Sequence, residues 1–417
     1  MNSLCFYFPY FEDSGVPVLF YRMINSIAEA NPNLDVFAID HENGAIARHL
    51  LVLPNINLIL FEKNKKVTPP NGSVLIMQTF VPYYWPEELE LASDQKLFFW
   101  NLHPQNLIPS LIPINGLREL PMNNFAIYRF LSFFYSKLFR NLRTYVQLLL
   151  ETDSLYFMDK SNLDYTAKYL FINIMNKQYL PVPAVSSEIK LTYSDNLLVE
   201  NIIHIGWVGR LCDFKSHILI YTINKLVEIS HRFDNKNFVF HIVGDGPYLN
   251  FIKENLKLNS RVSVIFHGSI SHDKLDYFIN NNFDIMTAMG TSALEGAKLH
   301  KPTIVLDFSF KKINKDYLFR ELYNTREFDL AHLITDDDYK LGNDSLFDIL
   351  TNFLSDYSLY SKKSEEYFKL NHSIENVRNL LIEKAVNSKL VFSMIDSSII
   401  EKGKLLKLYN KFRKLEN

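Results

Sequence analysis

Short apolar runs recur along the chain, and most are followed by a longer stretch whose apolar residues repeat at helical spacing. In the first half the runs at 4–8, 34–39, 57–61, 73–77, 96–100 and 154–158 read as strands, with helices expected over 17–30 and 161–171. Pro17 suits the first turn of its helix, because it has no amide hydrogen to lose and its φ is preset. The second half repeats the pattern with strands at 201–208, 238–243 and 262–266 and helices at 216–232, 247–256 and 272–280. Ile218, Tyr221, Leu226 and Ile229 form the apolar stripe of the first of these helices. Strands that alternate with helices in this way build parallel, doubly wound α/β sheets. From about Ser345 the pattern is helical nearly to the end.

One stretch is read most sharply: IMTAMGTSALEGAKLHKPTIVLD at 285–307 predicts strand, tight turn, short helix, turn and strand. Gly290 permits a sharp turn at the strand's carboxyl end, and the amides that follow point out of a helix N-terminus, where anions bind. Glu295 lies one turn into that helix. Two readings of it stand side by side. It is a ligand-binding acid, or it closes a capping box by reaching back to the Ser292 amide.

At 417 residues the chain exceeds one ordinary core, and 47% hydrophobic content supplies material for two. The polar, proline-bearing segment 181–200 marks the boundary. The expected domains are 1–190 and 191–390, with a helical tail at 391–417. A net charge of −2 gives no argument for nucleic acid, so any anion site must be local. Cys5 and Cys212 are far apart and form no CxxC pair, which points to a reducing compartment and no structural metal. The opening residues lack a basic start and a long apolar core, so no secretory leader is expected. No uncharged apolar run is long enough to span a bilayer.

Candidate chemistry collects just past the strand ends of the second half. Gly209 and Arg210 follow the strand IIHIGWV, and Lys215 comes five residues later. Arginine clasps a phosphate through two donors and lysine adds a point charge. The turn Gly244-Asp245-Gly246-Pro247 follows the next strand and is either a plain turn or a close approach to a ligand. His267 and Gly268 follow the third strand. A doubly wound sheet brings these turns and Gly290–Glu295 to one edge.

The order GR-x4-K, VGDGP, a strand ending in HG, and GTSALE-x5-KP-x-IV resembles the C-terminal domain of GT-B glycosyltransferases, in particular the large retaining family called family 4. The resemblance covers roughly 203–306 well and the first half only weakly. It implies a GT-B fold, two Rossmann-like doubly wound domains facing a central cleft. It also implies a hexosyltransferase of retaining type that moves a sugar from a nucleotide-diphosphate sugar to an acceptor hydroxyl, in bacterial surface polysaccharide or glycoconjugate synthesis.

By the same resemblance Arg210 and Lys215 hold the donor diphosphate, with Gly209 and Gly244 in the adjoining turns. Backbone at Gly290, Thr291 and Ser292 caps that diphosphate. Glu295 holds the ribose, and Gly268, Ser269 and Ile270 meet the base. Thr287 falls in the donor site where many members carry an acid. No cofactor or metal is implied, since the cations and the helix terminus offset the phosphate charge. Asp336–Asp338 read as a solvated loop.

The first domain is expected to bind the acceptor, a glycan or a lipid-linked sugar, with Gly15 in the loop after the first strand. His103, at the end of the strand KLFFWNL, is a candidate to contact the transferred sugar, to relay a proton, or to act as base if the reaction inverts. The tail is expected to cross back onto the first domain. The helix 126–150 places Arg129, Ser132, Ser136, Arg140 and Arg143 on one stripe amid apolar and aromatic residues. It reads either as a buried domain helix or as a helix in a membrane interface, with Lys137 and the arginines near lipid phosphates. The second reading places the protein in the cytoplasm, peripheral on the inner face of the membrane.

Two alternatives stay open: a nucleotide-sugar epimerase on the same fold, and a non-catalytic subunit that supports a partner transferase. A nicotinamide dehydrogenase is disfavoured, because no GxGxxG follows an early strand.

Overall fold

The computed structural model describes residues 3–62, 65–108, 125–189, 201–314, 316–334 and 343–400. The chain divides into two compact units, Met1–Val182 with Val377–Asn417, and Pro183–Asn376. Each has its own six-stranded sheet and its own hydrophobic core.

The first sheet contains β1 (Ser3–Tyr7), β2 (Asp35–Asp40), β3 (Ile56–Leu60), β4 (Val74–Gln78), β5 (Lys96–Asn101) and β6 (Leu155–Phe157). Its order is β3-β2-β1-β4-β5-β6, and every pairing is parallel. Around it lie α1 (Gly15–Ala30), α2 (Ala45–His49), α3 (Phe125–Phe134), α4 (Ser136–Glu151) and α5 (Lys160–Leu170). Residues 97–101 of β5 are all buried, as expected of a strand covered on both faces.

The second sheet contains β7 (Ile202–Val208), β8 (Asn237–Val243), β9 (Val262–Gly268), β10 (Ile285–Ala288), β11 (Thr303–Val305) and the short edge strand β12 (Arg320–Glu321). Its order is β12-β11-β10-β7-β8-β9, parallel except for the antiparallel edge pair β11–β12. Its helices are α6 (Asp213–Ile229), α7 (Leu249–Asn255), α8 (His272–Asn282), α9 (Thr291–Ala297), α10 (Leu346–Ser355) and α11 (Tyr357–Asn371). Counted within its own unit, each sheet has the order 3-2-1-4-5-6 of the doubly wound fold. The order reverses between β1 and β4 in the first unit and between β7 and β10 in the second. Ligands bind such sheets beside that reversal, at the carboxyl ends of the strands.

The expected boundaries at 190 and 391 differ from the compact units. Ala184 pairs with Ser373, its amide donating to the His372 carbonyl at 2.8 Å, so the chain belongs to the second unit from Pro183 onward. The return comes within α12 (Ile374–Asn387), whose residues from Val377 onward belong to the first unit. Beyond it the Ser388 hydroxyl donates to the Leu97 carbonyl at 2.6 Å, and the Leu97 amide donates to the Leu390 carbonyl at 3.0 Å. This segment and α13 (Ser397–Ile400) complete the first core with Leu390, Ile395 and Ile399. The helical stretch expected after Ser345 is several helices, with Asp356 both ending α10 and accepting the Leu359 amide to begin α11. Residues 401–417 lie outside the described residues, as do 190–200 of the boundary segment.

The helix expected over 126–150 is two helices, α3 and α4, separated at Tyr135. The buried-helix reading holds for α4, which buries Phe139 and places Leu142, Tyr145, Val146 and Leu149 in the first core. The α3 segment differs: Phe130, Phe133 and Phe134 are 64%, 78% and 63% exposed. No helix among the described residues is long and apolar enough to cross a membrane.

Candidate functional site

The site is assembled by the turns after β7, β8, β9 and β10. Backbone hydrogen bonds stitch the first three together. The Gly209 amide donates to the Val243 carbonyl at 3.0 Å, Leu211 to Asp245 at 3.0 Å, and Gly244 to Gly268 at 2.8 Å. Gly244 has φ +136°, and a Cβ there would lie 2.0 Å from the Gly209 carbonyl oxygen. The close approach that requires this glycine is therefore to the neighbouring turn. Gly244 shapes the site without offering itself to a ligand.

Lys215 lies in the first turn of α6, half-buried. Its ammonium sits 5.9 Å from the Phe214 ring centroid and packs over Gly209, where a Cβ would come within 3.5 Å of Nζ and 3.3 Å of Trp207. Gly209 thus leaves the space through which Lys215 reaches the end of β7. Burial pulls the Lys215 pKa below the ordinary lysine value, with proximity to Cys212 partly opposing it. Arg210 is exposed in the same turn. Among the described residues neither cation has a carboxylate partner.

Across the strand reversal, Gly290 has φ +63° and ψ −148°, a conformation open essentially to glycine alone. Its amide donates to the Leu330 carbonyl at 3.0 Å, and it occupies the N-cap position of α9 with no side-chain acceptor. Thr291 is exposed and Ser292 half-buried in the first turn of that helix. The capping-box reading fails here: Gly290, not Ser292, is the N-cap, and Glu295 Oε2 lies 2.6 Å from Lys298 Nζ. Lys298 also meets Asp276 Oδ1 of α8 at 2.9 Å.

Thr287 is withdrawn from any ligand. It is 1% exposed, and its hydroxyl donates to the Gly206 carbonyl at 3.0 Å within the sheet. Gly268, at φ +67°, turns the chain out of β9, after which Ser269 is exposed and Ile270 half-buried before α8. Beneath this edge runs a chain of three imidazoles. His204 Nδ1 is 2.8 Å from His241 Nε2, and His241 Nδ1 is 2.9 Å from His267 Nε2. Burial, reinforced by its two neighbours, pushes the His241 pKa down to about 4, so the central ring is neutral at pH 7.

In the first unit, Gly15 opens α1 after β1, exposed, with nothing within 4 Å of a Cβ built on it. His103 follows β5, and its Nδ1 accepts the Gln105 amide at 3.1 Å. An acceptor at Nδ1 places the neutral ring's proton on Nε2. Desolvation lowers the His103 pKa, which favours that neutral form. His103 therefore presents an N–H donor, and the lone pair a general base would need is engaged. No cluster of three or more His, Cys, Asp or Glu able to hold a metal occurs among the described residues, and Asp336–Asp338 fall outside them.

The chemistry suits an anion at the β7–β10 reversal: the turn after β7 carries two cations that have no carboxylate partner among the described residues, and the turn after the neighbouring β10 opens a helix without a side-chain cap. No protein-family description matches the chain, and no curated protein matches it. Solved structures do. A glycosyltransferase from Rickettsia africae ESF-5 superposes with a TM-score of 0.52 at 12% identity, covering 92% of this chain and 97% of that one. The trehalose-6-phosphate synthase OtsA gives 0.50 at 10% identity, covering 93% and 99%. The fold is GT-B. A third GT-B relative in architecture, trehalose-6-phosphate from E. coli bound with UDP-2-fluoro glucose, also gives 0.50 at 10% identity, with coverage of 94% and 100%.

Within this GT-B chain the sequence singled out the turns but missed their supports. Lys298 and Asp276 are 22 positions apart by their numbers, and the three histidines come from three strands. Only the Glu295–Lys298 spacing of one helical turn was visible along the chain.

Proposed function

We propose that the protein is a glycosyltransferase that moves a hexose from a nucleoside-diphosphate sugar to an acceptor hydroxyl in surface-polysaccharide or glycoconjugate synthesis. The carrying observation is the pair Arg210 and Lys215, without carboxylate partners among the described residues, in the turn after β7, beside β10 and the Gly290 start of α9. In this reading Arg210 and Lys215 bind the diphosphate with the Thr291 and Ser292 amides. They stabilise the negative charge that grows on it as the bond to the sugar breaks, without help from a metal. Glu295 receives the ribose hydroxyls, and Ser269 and Ile270 meet the base. Gly15 and His103 serve the acceptor and the transferred sugar. Retention by front-face departure needs no side-chain base, and His103 supplies a hydrogen-bond donor.

A thermal-shift panel with UDP, GDP, ADP, CMP and TDP on wild type and Glu295→Ala tests this. Ligand at about a hundred times its Kd adds roughly 2.7 kcal/mol of stability, or several degrees for a unit of this size. One nucleotide should raise Tm, less so in Glu295→Ala. Silence from all five would instead support a non-catalytic subunit.

The acceptor in this reading sits at a membrane surface on the cytoplasmic side, and α3 makes the contact. Phe130, Phe133 and Phe134 stand exposed beside exposed Arg129, Lys137 and Arg140, and no acidic residue occurs from 120 to 150. Aromatic rings with adjacent cations suit the headgroup region of anionic lipid. The protein should sediment with phosphatidylglycerol-containing vesicles and not with pure phosphatidylcholine, and Phe130→Ser/Phe133→Ser/Phe134→Ser should abolish this with Tm unchanged. Equal sedimentation of the triple variant would sink the assignment.

A further inference from the structure

Lysine is almost never buried unless it is paired, and Lys298 is 7% exposed with two carboxylates against it. Glu295 comes from one turn earlier on α9, and Asp276 comes from α8. Both are charge–charge contacts off the line of an ideal hydrogen bond. One ammonium serves two acids, so the trio keeps one negative charge and unfilled acceptor capacity on Glu295. The helix that carries it is fixed in place. At Gly296 a Cβ would lie 2.5 Å from Met286 of β10, so α9 packs directly on the sheet. At the other end of the bridge, α8 begins just after Ser269 and Ile270.

Resting on the reading that Glu295 receives a ribose, we infer that Lys298, braced by Asp276, is a positioning residue for nucleoside recognition. It holds Glu295 Oε2 so that the carboxylate presents its other oxygen to a vicinal diol. Through Asp276 it also ties the helix behind the base-contacting turn to the helix that carries the ribose acid. The ligand class is a ribonucleoside diphosphate in preference to its 2′-deoxy counterpart.

The test compares the pairs UDP/dUDP, GDP/dGDP and ADP/dADP by calorimetric titration of the full chain. Hydrogen bonds to a charged group are the stronger kind, so wild type should prefer the ribo form of the bound pair by about tenfold or more. Lys298→Met should bring that preference to about twofold or less through weaker ribo binding, as Glu295→Gln does, because the acid then loses its fixed direction. Asp276→Asn, remote from the nucleotide, should lower the preference part of the way, and it keeps the test open if Lys298→Met does not fold. A merely structural role would change both members of a pair equally. A wild-type preference that persists in folded Lys298→Met or in Asp276→Asn overturns the inference while leaving Glu295 as the ribose acid. A wild type that binds no pair, or binds ribo and deoxy forms alike, overturns the ribose reading and this inference with it.

Discussion

On the proposed function, Arg210→Ala and Lys215→Met should each lower turnover of the nucleoside-diphosphate sugar by about 10²–10³-fold, the usual cost of removing one preorganised group from a developing charge. The two cations differ in kind. Arg210 is exposed, so its charge is partly screened, and its value lies in a planar fork that matches two phosphate oxygens. Lys215 is held in a half-buried position against Phe214 and Gly209, where desolvation already disfavours its charged form. On the proposed function an arriving diphosphate would supply the missing counter-charge, so Lys215 should contribute more per contact than Arg210. The sign for pH follows: because burial lowers the Lys215 pKa, diphosphate affinity should begin to fall on the alkaline side before an exposed lysine would lose its proton. Initial rates of nucleoside-diphosphate release, with Kd values for the free nucleotide, check both variants. Near wild-type rates in either would remove that residue from the reaction, and Gly209→Val, which crowds Lys215 Nζ, should reproduce much of the Lys215 defect.

The alternation of strand and helix was legible because each element carries its own pattern, and the four turns after β7–β10 were legible because glycine and proline mark them locally. Side-chain direction was not. The family resemblance puts Thr287 at a donor-contacting position, yet in β10 the pleat turns it inward to the Gly206 carbonyl. Gly244 reads as a ligand turn, yet the atom it makes room for is the Gly209 carbonyl, 35 positions back by the numbers. The stretch 126–150 has one composition but two fates, because among the described residues it is α4 whose side chains lie in the first core while Phe130, Phe133 and Phe134 of α3 are exposed, and no local signal marks the difference. His103 could be placed at a strand end from sequence, but its tautomer follows from the Gln105 amide, which only the turn geometry reveals.

Arg320→Met should destabilise the second unit by about 3–5 kcal/mol in urea unfolding, because it leaves buried carboxylates without their cation. Arg320, on the edge strand β12, lies 2.6 Å from Asp307 and 3.4 Å from Asp329. Asp307, at the carboxyl end of the β11 segment, also accepts the Tyr317 hydroxyl at 2.9 Å and the His332 amide at 3.1 Å. His332 Nδ1 stands 2.7 Å from Asp329. Burial pulls the His332 pKa down, but Asp307 and Asp329 outweigh it and hold the pKa above the ordinary imidazole value. With Arg320 gone, His332 is the cation left facing both acids. A raised folded-state pKa stabilises fully below the unfolded value, near 6.5, and that stability is lost as pH rises through the folded value. The variant should therefore lie closest to wild type in mild acid and furthest from it once the pH has risen through the raised folded-state value of His332. A loss under about 1 kcal/mol that does not change with pH would mean that the cluster holds no net electrostatic stability. The damage should also reach the Gly290 turn, where the proposed function places the diphosphate. Asp329 and His332 bracket Leu330, whose carbonyl receives the Gly290 amide, so loosening them frees the turn that aims the first amides of α9. Nucleotide affinity of Arg320→Met, measured well below its Tm, should then fall although Arg320 lies on the far edge of the sheet from β7.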